Sequence, residues 1–197
     1  MNARFDAQLR HWARRKNRFG DTAVGRIGEA YSDQGDRIAK HLNKLLDGRF
    51  VQHALDFGCG WGRFSELLAH HCSHLWVADL FKDWLLRAAG PIPTASHVLM
   101  KSQKIGVQDG SMDAVFDIMT VQSISNDSLA RETMHEIKRV AASGALVVSL
   151  HIDKPRAPTR TAAQRAAHMG LSKWTEKAVT DVDCVGDKYS LVTGTRV

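Results

Sequence analysis

The clearest chemistry lies in one stretch, Ala54-Leu-Asp-Phe-Gly-Cys-Gly-Trp-Gly-Arg63, where an acid is followed by glycines at every second position. Glycine turns through backbone conformations closed to other residues and lets a ligand approach the main chain with no Cβ in the way. A helix beginning just behind such a turn aims free N–H groups and a positive dipole end at the same place. Asp79 follows Gly58 by 21 residues, at the end of a second apolar run. A carboxylate there is placed to accept both hydroxyls of a ribose. Together these signals predict a site for a nucleoside cofactor. Two other groups of residues look reactive but predict less. His70, His71, Cys72 and His74 have no second ligand cluster to complete a tetrahedral set, so no metal is expected. Cys59, inside the glycine loop, reads as a small packing residue.

The elements that must position these groups follow from periodicity. Residues 34–47 (QGDRIAKHLNKLLD) place Ile38, Leu42, Leu45 and Leu46 on one helical face, and Gly48 stops the helix. Strands are predicted at 53–57, 75–80, 97–100, 114–121 and 145–150, with helices at 64–70, 83–89 and 127–140 between them. Asp127 or Ser128 is the expected N-cap of the last. Strands alternating with helices imply right-handed βαβ units and a parallel sheet. The run ALVVSL is apolar almost throughout, as in strands covered on both faces. After it, helices are expected at 159–169 and 172–178, then strands at 181–185 and 189–195. The three-residue link Gly186-Asp187-Lys188 permits only an antiparallel hairpin. The fold class is therefore α/β: a doubly wound, mostly parallel sheet with a C-terminal antiparallel hairpin and an N-terminal helical cap. One domain of 1–197 is expected, divided into a cap (1–48), a cofactor-binding core (49–150) and insertion helices with the hairpin (151–197).

With the motifs in this order the chain resembles the class I, Rossmann-like S-adenosylmethionine-dependent methyltransferases. LDFGCGWGRFSELLA is similar to the family's glycine motif and following helix, and LWVADLFKDWLLRA to its second strand, ribose acid and helix. QDGSMDAVFDIMTVQSIS resembles its fourth strand, and EIKRVAASGALVVSL the helix and fifth strand after it. The G-x-G-x-x-G spacing of nicotinamide dehydrogenases is absent, because Arg63 and Phe64 follow Gly62. The resemblance implies S-adenosyl-L-methionine as cofactor. It implies that Gly58, Gly60 and the backbone of Cys59 line the methionine moiety, that Asp56 places its ammonium, and that Asp79 binds the ribose. Leu80 would pack on adenine, with Trp84 either walling that pocket or packing in the core. Thr120 and Val121 would pass beneath the methionyl tail. Where the family often carries an acid for the adenine amino group, this chain has Lys101, which cannot accept from an amine. Backbone groups of Lys101 and Ser102 are then the candidate readers of the adenine edge. Methyl transfer from a sulfonium needs alignment and dehydration more than a catalytic residue. His151, after the fifth strand, and Tyr31, in the N-terminal segment, are the candidate catalytic residues, each with an ordinary packing role as the alternative. Trp12 is a further aromatic that either closes over the site or packs.

Charge bears on the acceptor. Residues 1–20 carry six cations against one acid, and residues 151–177 six against two, while the rest of the chain is net negative within a total of +6. Either these are solvated basic helices or they roof the site and favour an anionic partner. The [D/N/S]-P-P-[Y/F/W] motif of amino-methylating DNA enzymes is missing from TVQSISND, and no Pro-Cys occurs. A small anionic molecule is the expected acceptor. RNA is the alternative, as is a non-catalytic cofactor-binding subunit. Three cysteines make no disulfide framework, so a reducing, cytoplasmic setting is expected. No apolar run approaches a membrane span.

Overall fold

A computed structural model describes residues 3–19, 29–102, 104–153, 161–179 and 188–197. Two N-terminal helices, α1 (Ala3–Phe19) and α2 (Glu29–Leu46), precede the alternating core. That core runs β1 (Val51–Phe57), α3 (Ser65–Ala69), β2 (Cys72–Asp79), α4 (Lys82–Ala89), β3 (Ser96–Leu99), β4 (Met112–Ile118), α5 (Asp127–Val140) and β5 (Ala141–Asp153). It closes with α6 (Ala162–His168), β6 (Leu171–Val179) and β7 (Lys188–Arg196). The sheet order is β3-β2-β1-β4-β5-β7-β6, parallel from β3 to β5, with β7 antiparallel to both β5 and β6. This is the Rossmann-like methyltransferase fold.

Both faces of the sheet are covered, which is why its central strands read as continuous apolar runs. On one face Ala54, Val77, Phe116 and Val148 pack with Ile38 and Leu42 of α2 and Leu68 of α3. On the other, Leu55, Val115 and Val147 meet Leu129, Met134 and Ile137 of α5. The cap of α5 is Asn126 rather than Asp127 or Ser128, with its side chain accepting from the Leu129 N–H at 2.9 Å.

The C-terminal part differs from expectation in one element. Residues 172–178 form not a helix but most of β6. The segment SKWTEKA has no helical apolar stripe, and β7 offers a free edge. Trp174 and Leu171 pack where a Cβ on Gly194 would sit, and Thr175 pairs with Thr193 across the strands at 2.9 Å. A bulge between Ser172 and Thr175 places Lys173 at φ 48°. The strand expected at 181–185 and its link to β7 lie outside the described residues, as do residues 154–160. The helix expected at 159–169 is α6, begun by a capping box of Thr161 and Gln164 and ended at Gly170, φ +65°.

Candidate functional site

The carboxyl ends of β1, β2 and β4 open onto a cavity of about 180 Å³, roofed by α1. Crevices at this edge are where doubly wound sheets bind ligands. The glycine loop hangs from β2: the N–H groups of Gly58 and Cys59 both donate to the Ala78 carbonyl, at 2.8 and 3.1 Å. Gly58, at φ +69°, is also fixed sterically, because a Cβ there would lie 2.1 Å from Thr120 Cγ2. Gly60, at φ +58°, differs: a Cβ on it would meet nothing within 4 Å, so its face is left open to the cavity.

Two carboxyls lie at the base. Asp79 accepts from Gly60 N at 2.9 Å and Phe81 N at 3.1 Å. Burial pushes its pKa up to about 6; the backbone N–H groups of Gly60, Phe81 and Leu80 oppose that rise and Asp83 adds to it. Asp56 accepts from Ser65 Oγ at 2.6 Å. Burial pushes it up to about 7, against the Ser65 hydrogen bond and with the help of Asp79. The Cys59 thiol is raised well above its ordinary range by burial and by Asp56 and Asp79, so it stays protonated and unreactive.

The turn after β4 forms the far wall. Thr120 Oγ1 donates to Gly58 O at 3.2 Å, and Met119, which also lines the cavity, is held at φ 63°. Val121 is fully buried behind it and does not line the cavity. Asp117, at the end of β4, accepts from Thr120 N (3.2 Å), Val121 N (2.9 Å), Ser149 Oγ (2.8 Å) and His151 Nε2 (2.9 Å). Burial alone would raise Asp117, but His151 and the surrounding donors hold it below the usual carboxylate range.

The roof presents Phe5, Gln8 and Trp12, one face of α1. Gln8 Nε2 donates to Ser123 O at 2.9 Å, and Arg4 pairs with Glu132 at 3.1 Å. Lys16 pairs with Asp83 and lies 5.2 Å from the Phe81 ring centre and 6.0 Å from that of Trp84. Phe81 and Trp84 meet edge to face at 5.0 Å. Arg63 is the cation lining the cavity among the described residues, and it donates to Gln34 Oε1 at 3.1 Å.

Of the residues singled out from sequence, Asp56, Gly58, Cys59, Gly60, Asp79, Leu80, Thr120, Trp84 and Trp12 converge on the cavity. Lys101 and Ser102 do not line it. Lys101 is exposed, Ser102 Oγ accepts from Lys104 N at 3.1 Å, and Met100 stands on the cavity at the end of β3 instead. His151 is 5% exposed, faces Asp117 and does not line the cavity. Tyr31 falls in the first turns of α2, and its side chain lies outside the described residues. Sequence reasoning missed Phe5, Gln8, Met100 and Asp117. The spacing of Phe5, Gln8 and Trp12 on one helical face was the readable signal for the roof. The basic segments are not simple solvated helices. Arg4 and Lys16 clasp α5 and α4, and Arg165, 1% exposed, donates to Ser149 and Ser190 inside the fold. Among the described residues no group of three or more histidines, cysteines or acids is gathered for a metal, and no helix is long and apolar enough to cross a membrane.

A glycine loop between β1 and α3 and an acid ending β2 meet at the cavity, in a sheet whose β7 runs antiparallel. The family described as "Methyltransferase domain" matches residues 55–149, so from β1 into β5 the chain is similar to methyltransferases. It is 25% identical over 130 residues to Nodulation protein S of Sinorhizobium fredii, covering 64% of this chain and 59% of that protein. Two solved structures share the fold. The N-methyltransferase NodS of Bradyrhizobium japonicum, in complex with S-adenosyl-L-homocysteine, superposes with a TM-score of 0.70 at 14% identity, covering 98% of this chain and 99% of that one. Phosphoethanolamine N-methyltransferase 1 of Haemonchus contortus, in complex with phosphoethanolamine and S-adenosylhomocysteine, gives a TM-score of 0.73 at 13% identity, covering 100% of this chain and 50% of that one.

Proposed function

We propose that this chain binds S-adenosyl-L-methionine and transfers its methyl group to a small molecule carrying an anionic group. The observation that carries the reading is the convergence of Gly58, Gly60, Asp56 and Asp79 on one roofed cavity. The fit is chemical as well as spatial. Gly60 leaves room where any side chain would intrude, and two buried carboxyls suit a ligand with hydroxyl donors and positive charge. Asp79 is assigned the ribose hydroxyls and Asp56 the methionyl ammonium. Gly58 and Gly60 flank the methionyl chain over Thr120, and Leu80, Met100 and Trp84 enclose adenine. With Lys101 and Ser102 off the cavity, adenine is held by apolar contact and main chain rather than by an acid.

When bound, the cofactor supplies an electrophilic methyl carbon on a positively charged sulfur. The chain's task is to exclude water and align the acceptor, which Phe5, Gln8 and Trp12 do by closing α1 over the cavity. Arg63 is assigned the acceptor's anionic group, since α1 turns Arg10 and Arg14 to solvent rather than inward. The two N-methyltransferase structures, one of them holding phosphoethanolamine, support a small-molecule acceptor. The cap, core and C-terminal elements act as one catalytic unit. The buried free thiols of Cys59 and Cys72 suit a cytoplasmic setting.

Radiolabelled methyl transfer to a panel of small amines bearing phosphate or carboxylate, beside neutral analogues and bulk RNA, tests this. Turnover confined to small anionic acceptors is the expected result. Labelling of RNA would replace the acceptor, and tight cofactor binding without turnover on any acceptor would make the chain a binding subunit.

A further inference from the structure

Outside the cavity, a buried polar cluster surrounds Asp117. Its carboxylate takes four hydrogen bonds from two elements: the turn after β4 (Thr120 N, Val121 N), and Ser149 and His151 of β5. A carboxylate only accepts, so His151 Nε2 carries the proton of the 2.9 Å contact. The turn it holds is not relaxed. Met119 sits in the left-handed region, a conformation that is strained for a non-glycine residue and persists only where the surroundings over-determine it. The same turn bears Thr120, whose methyl fills the place of a Gly58 Cβ and whose hydroxyl donates to Gly58 O. A continuous set of contacts thus runs from His151 through Asp117 and Thr120 to the glycine loop. Charged neighbours enter from the packed elements as well: Arg165 of α6 reaches Ser149, and Glu176 of β6 reaches Ser190, which stands opposite His151 in the sheet.

We propose that His151 is a positioning residue for cofactor binding: by donating to Asp117 it fixes the strained turn at 119–121, and through Thr120 it holds the glycine loop in its ligand-accepting shape. This assigns His151 a role at a distance from the reacting atoms. It rests on the functional reading above only in supposing that the loop's ligand is S-adenosylmethionine or its product.

The test has one arm that needs no cofactor. In hydrogen exchange of the free chain, well below its melting temperature, His151→Phe should cut the protection of the Thr120 and Val121 amides about tenfold or more, while amides at the centre of β1 stay protected. In the second arm, calorimetric affinity for S-adenosylhomocysteine should fall about tenfold in His151→Phe. Thr120→Ala should also weaken binding, and adding His151→Phe to it should cost less than about twofold more, since both act through one contact. His151→Gln, which keeps an N–H donor, should restore most of the protection and affinity, and it serves as the folded variant if Phe is not accommodated.

Unchanged protection and affinity in His151→Phe would overturn the proposal. So would effects that multiply in the double variant, or a Gln variant as impaired as Phe. Intact affinity with collapsed turnover would overturn it too, making His151 an acid–base group. A wild-type chain that does not bind S-adenosylhomocysteine would overturn the functional reading instead, and the exchange arm would still decide the role of His151.

Discussion

The backbone N–H of Gly60 donates to the Asp79 carboxylate at 2.9 Å. The loop expected to cradle the cofactor and the acid expected to bind its ribose are thus tied to one another within the protein. Asp79 organises the loop as well as lining the cavity.

Replacing Asp79 by Ala should weaken S-adenosylmethionine binding by about 1.5–3 kcal/mol, since charged hydrogen bonds to two hydroxyls are lost. Isothermal calorimetry of the folded variant measures this. Wild-type affinity in Asp79→Ala would place the ribose elsewhere.

Cofactor affinity should rise with pH between about 5.5 and 8. In the free protein Asp79 and Asp56 titrate near 6 and 7, because burial favours their neutral forms. Ribose hydroxyls and an ammonium favour the ionised forms, so binding near pH 6.5 should release protons. Calorimetry in two buffers of different ionisation enthalpy counts them, and zero release at pH 6.5 would detach the two acids from the ligand.

The same shifts fix the stability profile of the free chain. Both carboxyls have folded values above their unfolded ones, so their contribution is fully present below pH ~4 and is lost as pH rises through 6 to 7. Asp117 runs the other way: its value is lowered, so its contribution is present above pH ~4 and is lost at more acid pH. Denaturant midpoints should therefore be lower at pH 8 than at pH 5.5, and Asp56→Asn should flatten that difference.

Gly60→Val should abolish cofactor binding while leaving the circular dichroism of the sheet intact. Its side chain would enter open cavity space, and a β-branched residue is strained at φ +58°. Normal binding by this variant would show that the ligand does not lie along the loop.

Trp12→Ala should raise the acceptor KM about tenfold by opening the roof, since a large aromatic anchor is lost. Lys16→Ala should change it less than threefold, because exposed ion pairs contribute little. Arg10→Ala with Arg14→Ala should leave cofactor affinity flat and weaken the salt dependence of acceptor association, if those outward cations steer an anion. Stopped-flow association rates across ionic strength check the last point.

The order of elements through β5, the glycine loop and Asp79 were legible in the chain itself. Each rests on local chemistry: continuous apolar runs for strands covered on both faces, helical apolar spacing for α2 and α5, and glycines where only glycine fits. What the tertiary structure decided lay where long-range partners set the outcome. Residues 172–178 became a strand because β7 offered an open edge and Gly194 a slot for Trp174. His151 turned from the cavity because Asp117, 34 residues earlier, supplies a buried acceptor on the same face of the sheet. Lys16 and Arg165, alike in sequence as members of basic segments, were divided between a surface clasp and a buried tie. A cation's role depends on which acids and carbonyls the fold brings to it, and those partners are distant in the chain.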